Sequence, residues 1–530
     1  VNTITSLILS GFKTRLFLLF YILLALGAGF LLIYANDLLA LLLNDYLMVQ
    51  NFDGFALQLL LTTGVFALVF GVNILTGYLH SDFEYGTILR LTRHCITRLL
   101  YARFEFFTNR PAAELYAGLW TASQASGRFY GRVLLMISHV AAFIFYGIVV
   151  FRFDVWAGVF SVLAVPLFFL VTVGAGNRIS ALQHVYVACV GELATVTQEA
   201  LENAGNVKAK GAYAFFTERA VAVLRRIRNT VVKLSVIERY IGSATGLIRM
   251  IAPLLIIFAA MSISYGFEAN AGNVMVLYIN IPLFLSGFAD IHRGYIEYKM
   301  AKPFLSKLAE FDDAPPEDGG GVDISAFESL RTEGVKVTFD GGRVVSVPDF
   351  EVKKGEKVMF FGESGIGKST VFNIVMGLRE YEGDVFVNGM NLREVSLASL
   401  RRVFGITFQH TNALTLDLRG NILLGAEKTD SELAQLVRLC ALENQNDTKG
   451  DTLLNNSVLS GGEKSRVGLS QMLALEPEIM LIDEAFSNMD EELESRIIAD
   501  LFREYPGCAV VCISHRNSSR GFFDRVVEFS

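Results

Sequence analysis

Residues 362–369 read Gly-Glu-Ser-Gly-Ile-Gly-Lys-Ser, preceded by the apolar run Val358–Phe361 and followed by the helical-looking stretch Thr370–Leu378. Strand, G-x-x-x-x-G-K-S turn and helix together form the context that a phosphate-cradling P-loop requires. Across Gly362, Glu363, Ser364, Gly365, Ile366 and Gly367 the glycines let backbone N–H groups approach phosphate oxygens. Lys368 then reaches the β and γ phosphates, Ser369 ligates Mg²⁺, and Thr370 completes the expected nucleotide-binding segment. A merely structural glycine-rich turn would not need Lys and Ser at those two places. Further on, Ile479–Ile482 is an apolar strand that ends in Asp483 and Glu484. A strand delivering its acids beside a P-loop is the Walker B arrangement: Asp483 holds Mg²⁺ directly or through water, and Glu484 polarises an attacking water.

These residues sit in the second of two unlike halves. The 530 residues are 52% hydrophobic and 19% charged, with a net charge of −7 and a mean hydropathy of +0.43. Such values exclude a disordered, collagen-like or disulfide-rich chain. Residues 1–300 hold 22 Lys+Arg and 16 Asp+Glu, whereas 301–530 hold 24 and 37. The front therefore reads as a bilayer segment and the back as a soluble acidic domain with its own core. Cys95, Cys189, Cys440, Cys508 and Cys512 are scattered, which implies neither a disulfide framework nor a zinc site.

Six stretches are long and apolar enough to cross a hydrocarbon core of roughly 30 Å. They are Leu16–Tyr34, Phe55–Leu79, Val133–Phe151, Val155–Gly174, Leu247–Tyr265 and Val274–Ile291. Lys13 and Arg15 before an apolar run that reaches Ala25-Leu26-Gly27-Ala28 also resemble a cleavable signal, but five further spans follow, so the first is read as an uncleaved helix. The loops after spans 1, 3 and 5 are short and carry Asp37, Asp45, Asp53, Asp154 and Glu268 against Arg152. The other two connections are long and basic, from Arg90 to Arg132 and from Arg178 to Arg239. The positive-inside rule places them, both termini and the acidic domain in the cytosol. Ala220, Leu224, Ile227, Val231, Leu234 and Ile241 suggest one apolar helical stripe, so spans 2 to 5 are expected to continue as long helices below the membrane. So many arginines could also make a nucleic-acid or lipid-headgroup surface. Their alternation with the stripe favours a solvated helix face, and no nucleic-acid partner is expected. Glu310–Gly321 is an acidic, Pro/Gly-rich linker. The expected boundaries are 1–309 for the membrane domain, 310–321 for the linker and 322–530 for the soluble domain.

Between the P-loop and the paired acids lies Leu459-Ser460-Gly461-Gly462-Glu463, and here the sequence resembles one family. It is similar to ATP-binding cassette (ABC) transporters, in particular half-transporters of the exporter type. Gln409, with Asn421 and Ile422 downstream, resembles the Q-loop; Leu459–Glu463 resembles the LSGGQ signature with Glu for the last Gln. Ser487–Asp490 resembles the D-loop, and Ile513–Arg516 the loop of the switch histidine, here His515. Phe106–Leu115 and Glu199–Ala209 resemble the intracellular loops that carry short coupling helices. Tyr is usual two residues beyond Phe339, but Gly341 stands there, which leaves Phe339 to stack on adenine. Asn455, Asn456 and Ser457 replace an acidic-Gly segment. The family's usual C-terminal helices are not expected after Arg525–Phe529, and a peptidase segment is not expected before span 1.

The resemblance implies an α-helical polytopic membrane domain followed by an α/β P-loop NTPase domain. Lys368, Gln409, Glu484 and His515 would be catalytic, and Ser369, Gln409 and Asp483 would serve Mg²⁺. Ser460, Gly461, Gly462 and Glu463 would complete the ATP site of a second chain, either an identical copy or a related half-transporter. The expected protein lies in the bacterial inner (plasma) membrane and uses ATP to export or flip a hydrophobic or amphipathic substrate such as a lipid, peptide or drug-like molecule. An importer on the same fold, or an ATP-gated channel or regulator, would carry the same motifs. Asn73, His139, Asn280 and Asp290 within spans are expected to face a cavity or a neighbouring helix.

Overall fold

The computed structural model describes residues 12–47, 53–108, 110–167, 170, 175–264, 271–317, 319–339, 342–363, 365–409, 411–443, 453–454 and 459–529. Ser364, Gly341, Glu268, Asn455, Asn456 and Ser457, together with 168–169 and 171–174 of the fourth expected span, lie outside them. The chain forms two compact units, Val1–Ala102 with Phe107–Pro315, and Arg103–Phe106 with Pro316–Ser530.

The first unit is helical: α1 (Phe12–Leu41), α2 (Phe55–Leu100), the last two residues of α3 (Glu105–Thr108), whose Glu105 and Phe106 belong to the second unit, α4 (Ala112–Phe153), α5 (Val155–Ala164), α6 (Ala175–Glu202), α7 (Ala204–Ala209), α8 (Tyr213–Ser264) and α9 (Ala271–Asp312). Among the described residues six helices are long and apolar enough to span a membrane. The 46 residues of α2 extend about 69 Å at ~1.5 Å per residue, more than twice the hydrocarbon thickness. The helices of spans 2, 3 and 5, α2, α4 and α8, are all longer than a bilayer crossing needs, and the short helices α3 and α7 fall in the two loops that resemble coupling segments.

Two expectations change. Val155–Gly174 is not one continuous described helix: α5 ends at Ala164, just before Pro166, whose ring nitrogen cannot donate to a preceding carbonyl. The fourth helix that meets the span criteria is α6. The stripe on α8 also turns: Val223, Thr230 and Leu234 are buried, while Leu224 is 47% and Val231 40% exposed. A 3.6-residue repeat allows either i+3 or i+4 at each step, and packing against α6 and α9 selects the i+3 member at 223 and 230.

Polar groups within the spans pair with one another. Asn280 is fully buried and donates to Asn36 Oδ1 at 2.6 Å and to Val276 O at 2.8 Å, and the Asn36 amide donates to Leu32 O. His139 faces Asp290 at 3.8 Å, whereas Asn73 is exposed. Arg152, the one base in the loops assigned outward, pairs with Asp37 at 3.1 Å.

The second unit holds two sheets. β1 (Ser329–Thr338), β2 (Val344–Ser346), β3 (Glu351–Lys353), β5 (Glu382–Val387) and β6 (Met390–Asn391) make an antiparallel sheet. β4 (Lys357–Gly362), β7 (Phe404–Thr407), β8 (Ile479–Asp483), β9 (Ala509–Ile513) and β10 (Arg525–Phe529) make a parallel one in the order β10-β4-β9-β8-β7. β8 and β9 are buried at every position, the pattern of strands covered on both faces. Helices α10 (Lys368–Val375), α11 (Leu397–Val403), α12 (Leu418–Leu423), α13 (Asp430–Leu439), α14 (Gly461–Ala474) and α15 (Glu491–Glu504) surround them. The segment read as a linker is anchored here. Gly320 N–H donates to Val395 O at 3.0 Å, and Glu317 accepts both ends of the Arg401 guanidinium at 2.7 and 2.9 Å. In the same unit the Glu380 N–H donates to Glu105 Oε1 at 3.0 Å.

Candidate nucleotide-binding and hydrolysis site

Because β4, β7, β8 and β9 run parallel and in register, their carboxyl ends meet at one edge. Phe360 lies beside Ile513, Ile513 beside Asp483, and Ile482 beside Thr407. Each strand end thus delivers one motif there: Gly362 from β4, Gln409 beyond β7, Glu484 beyond β8 and His515 beyond β9. Ligands bind at such an edge in open α/β sheets.

Between β4 and α10 the backbone takes left-handed turns. Gly367 has φ +114°, and a Cβ there would lie 2.4 Å from Val345 Cγ1; at Gly362 it would lie 2.6 Å from Phe529 O. Glycine is required at both. Arg343 donates to the Gly365 carbonyl at 2.7 Å, Ile366 packs on the core beneath, and the Thr370 N–H bonds Gly367 O. Lys368 is 4% exposed. Its Nζ donates to Gly362 O at 2.8 Å and Glu363 O at 2.7 Å. Burial holds this ammonium below the ordinary lysine pKa, against the opposing pull of Glu484 and Asp483.

Ser369 Oγ donates to Asp483 Oδ1 at 2.9 Å. Glu484 sits in the left-handed region at φ +47°, a strained setting for a non-glycine residue and one found at functional sites. Its Oε2 accepts from Gln409 Nε2 at 2.7 Å, and its Oε1 lies 2.7 Å from His515 Nε2. Pairing with a carboxylate assigns the proton to that nitrogen. Asn421, fully buried, fixes the segment after Gln409: it accepts from the Leu414 N–H and donates to the carbonyls of Leu414, Leu416 and Asp417. Ser369, Asp483 and Gln409 offer a hydroxyl, a carboxylate and an amide oxygen. This set suits a hard cation that takes its other ligands from phosphate and water. Among the described residues no group of three or more His, Cys, Asp and Glu could hold a metal alone.

The structure brings Lys368, Ser369, Gln409, Asp483, Glu484 and His515 to one edge and puts the signature elsewhere. Ser460 caps α14: its hydroxyl accepts from the Glu463 N–H at 3.3 Å, and its own N–H donates to Glu463 Oε2 at 2.7 Å. This capping box explains Glu in place of the family's Gln, since the acid satisfies an orphan amide at a positive helix end. A Cβ on Gly462 would lie 2.8 Å from Asn488 O, so the D-loop segment lies against the signature helix. Phe339 packs on the core and carries the Arg379 guanidinium on its ring, 4.1 Å from the centroid. Sequence reasoning missed Arg343 and Arg379, because nothing local marks a base whose partner is tens of residues away. The S-x-x-E pattern of Ser460 and Glu463 was readable.

Fold and site together define a membrane-embedded P-loop ATPase. The family model described as "ABC transporter transmembrane region" matches residues 18–286, and the model "ABC transporter" matches 345–487. The chain belongs to the ABC transporter family, with the membrane region and ATP-binding domain of an exporter-type half-transporter. The "ATP-dependent lipid A-core flippase" of Ralstonia nicotianae is 26% identical over 490 residues, 87% of this chain and 82% of that one. "Multidrug resistance protein 3" of Entamoeba histolytica is 27% identical over 49% of this chain, which covers 21% of that protein. "Iron-sulfur clusters transporter ABCB7, mitochondrial" of Oryzias latipes is 30% identical over 49% of the chain and 36% of its own. The solved "Structure of a bacterial Atm1-family ABC exporter with ATP bound" superposes with a TM-score of 0.81 at 20% identity, covering 97% of this chain and 92% of that one.

Proposed function

We propose that this ATP-driven transporter exports or flips an amphipathic molecule across a bacterial inner membrane, as a dimer with its ATP-binding domains in the cytosol. The observation that carries the reading is the meeting of four motifs at one sheet edge, with Glu484 held by both Gln409 and His515. Lys368 and the loop amides cradle the phosphates, and Glu484 orients the water whose oxygen forms a bond to the γ phosphorus as the bond to the β-γ bridging oxygen breaks. The proton that the attacking water loses ends on the phosphate formed or in solvent, and ADP and phosphate leave. Positioning and charge do the catalysis. Ser369, Asp483 and Gln409 would hold Mg²⁺, which neutralises charge on the β and γ oxygens.

Ser460, Gly461 and Gly462 have Glu463 and Asn488 as their own-chain neighbours. Their backbone end is assigned to the γ-phosphate bound on the P-loop of a second copy, so two chains make two composite sites. Closure of the pair would be passed to the membrane helices through the segments of α3 and α7. In the first unit a cavity of about 750 Å³ is lined by His80, Glu84, Arg128, Arg132, Arg293 and Glu297. Cargo with an apolar body and a charged head suits such a wall, which offers partners of both signs. The similarity to a lipid A-core flippase over 87% of the chain supports an amphipathic cargo.

The test is transport in proteoliposomes with outward-facing ATP domains, using a fluorescent glycolipid, a peptide and a lipophilic cation in turn. ATP-dependent movement of one of them, stopped by Glu484→Gln, is expected. ATP hydrolysis unaffected by any cargo and moving none would sink the reading.

A further inference from the structure

Arg516 follows His515 and points away from the nucleotide edge. Its Nη1 donates to Glu494 Oε2 at 2.6 Å, and its Nη2 donates to the backbone carbonyls of Met489 at 2.8 Å and Ser487 at 3.0 Å. Glu494, on the first turns of α15, is 1% exposed, and its other oxygen accepts the Ser519 hydroxyl at 2.5 Å. One guanidinium thus fastens the segment that leaves Glu484 and runs through Asn488, whose carbonyl lies against Gly462. That segment also turns back on itself, because the Ser487 N–H bonds Glu484 O at 3.0 Å. Glu494 is buried, while the Arg516 side chain keeps 30% of its surface exposed; desolvating the carboxylate offsets much of the pair's attraction, so its use is sought in the one geometry it fixes rather than in net stability.

We propose that Arg516, neutralised by Glu494, is a positioning residue that locks the Glu484–His515 pair and the signature end of α14 into one rigid assembly. The inference rests on the composite-site reading. There, the signature of each chain serves its partner's nucleotide while Glu484 serves its own, so the clamp ties the geometry of one site to that of the other. Arg516 and Glu494 are engaged with each other, with Ser519 and with the carbonyls of Ser487 and Met489, so their effect passes through those carbonyls.

The experiment uses the full chain in lipid nanodiscs and compares the wild type with R516A/E494A, R516K and E494Q. The double variant removes both charges, so no unpaired ion is left buried. Steady-state hydrolysis gives kcat and KM, a fluorescent ATP analogue reports binding, and hydrogen exchange follows the amides of Gly461–Glu463. Loss of charge-assisted hydrogen bonds should lower kcat by about tenfold or more in the double variant, with KM within about threefold and faster exchange at Gly461–Glu463. R516K should recover only part of the rate, because one ammonium cannot span three acceptors in the plane that a guanidinium serves. A nucleotide-binding double variant with wild-type kcat and exchange would overturn the proposal. If that variant fails to bind nucleotide, E494Q decides, since it keeps the side-chain shape: unchanged kcat and exchange overturn the proposal, and a fall in kcat at constant KM supports it. Wild-type turnover that survives Ser460→Arg would instead sink the composite-site reading itself.

Discussion

Glu484 Oε1 and His515 Nε2 lie 2.7 Å apart, joining the ends of two neighbouring parallel strands through one hydrogen bond. The second carboxylate oxygen is held by Gln409 from the next strand along. On the proposed mechanism, a water oriented by Glu484 would be positioned by three strand ends at once. Their register is set by backbone hydrogen bonds and not by flexible side chains.

Replacing Glu484 with Gln keeps an acceptor for His515 but removes the negative charge that orients water. Hydrolysis should slow by about 100-fold or more while ATP binding survives, because the phosphate cradle is untouched. Single-turnover hydrolysis beside equilibrium binding checks this, and near-normal turnover would remove Glu484 from the role.

At Glu463 the capping box separates charge from shape. Glu463→Ala should weaken the start of α14 by about 1 kcal/mol, the usual value of a lost cap, and raise amide exchange at Gly461–Glu463. Glu463→Gln keeps the side-chain oxygen for the Ser460 N–H and should lose only about 0.3–1 kcal/mol of helix-end electrostatics, less at high salt. Equal exchange in the two variants would contradict the cap.

Lys368 carries a pKa below that of a free lysine because it is buried. In the empty site its proton is therefore lost at a lower pH than that of an exposed lysine. Bound polyphosphate favours the ammonium and raises the pKa again. Nucleotide binding should thus take up protons on the alkaline side and weaken as pH rises through the depressed pKa. Calorimetry in buffers of different ionisation enthalpy measures the uptake, which should vanish in Lys368→Met.

The cysteines of the ATP-binding unit should resist alkylation in the folded protein. Burial pushes the Cys440 thiol up to about 12 and Cys508 up to about 11, and raises Cys512 as well. All three are buried, so almost no thiolate exists at neutral pH. Intact mass after maleimide treatment should show these three unmodified until denaturant is added.

Much of this arrangement was legible before the fold, and the reason is chemical. A P-loop must follow a strand and open a helix, and an acid pair that serves it must end a buried strand, so 358–370 and 479–484 announce both element and role. Five of the six spans were legible because only helices and closed barrels satisfy their backbone in lipid, and an unbroken apolar run of that length reads as a helix. What could not be read is what depends on partners distant in sequence. Periodicity allowed Leu224 or Val223 to face inward, and only the packing of α8 decided it. Asn280 stood out as polar in an apolar run, but its mate Asn36, beside the charged Asp37, looked like a loop residue. Arg516 was visible beside His515, while Glu494 looked like one acid among several on an exposed helix.

The Asn36–Asn280 bond also sets a condition on biosynthesis. The two amides are 244 residues apart, and each is expensive to leave unpaired in lipid. At ~5–20 residues per second, roughly 12–50 s pass between synthesis of the first asparagine and arrival of the second. During that interval the bond from the Asn36 amide to Leu32 O, present in the finished protein, is available within its own helix. The pairing of α1 with α9 through these two amides is therefore a late event of synthesis, and a chain that stops short of Asn280 lacks the donor that Asn36 Oδ1 has in the finished protein.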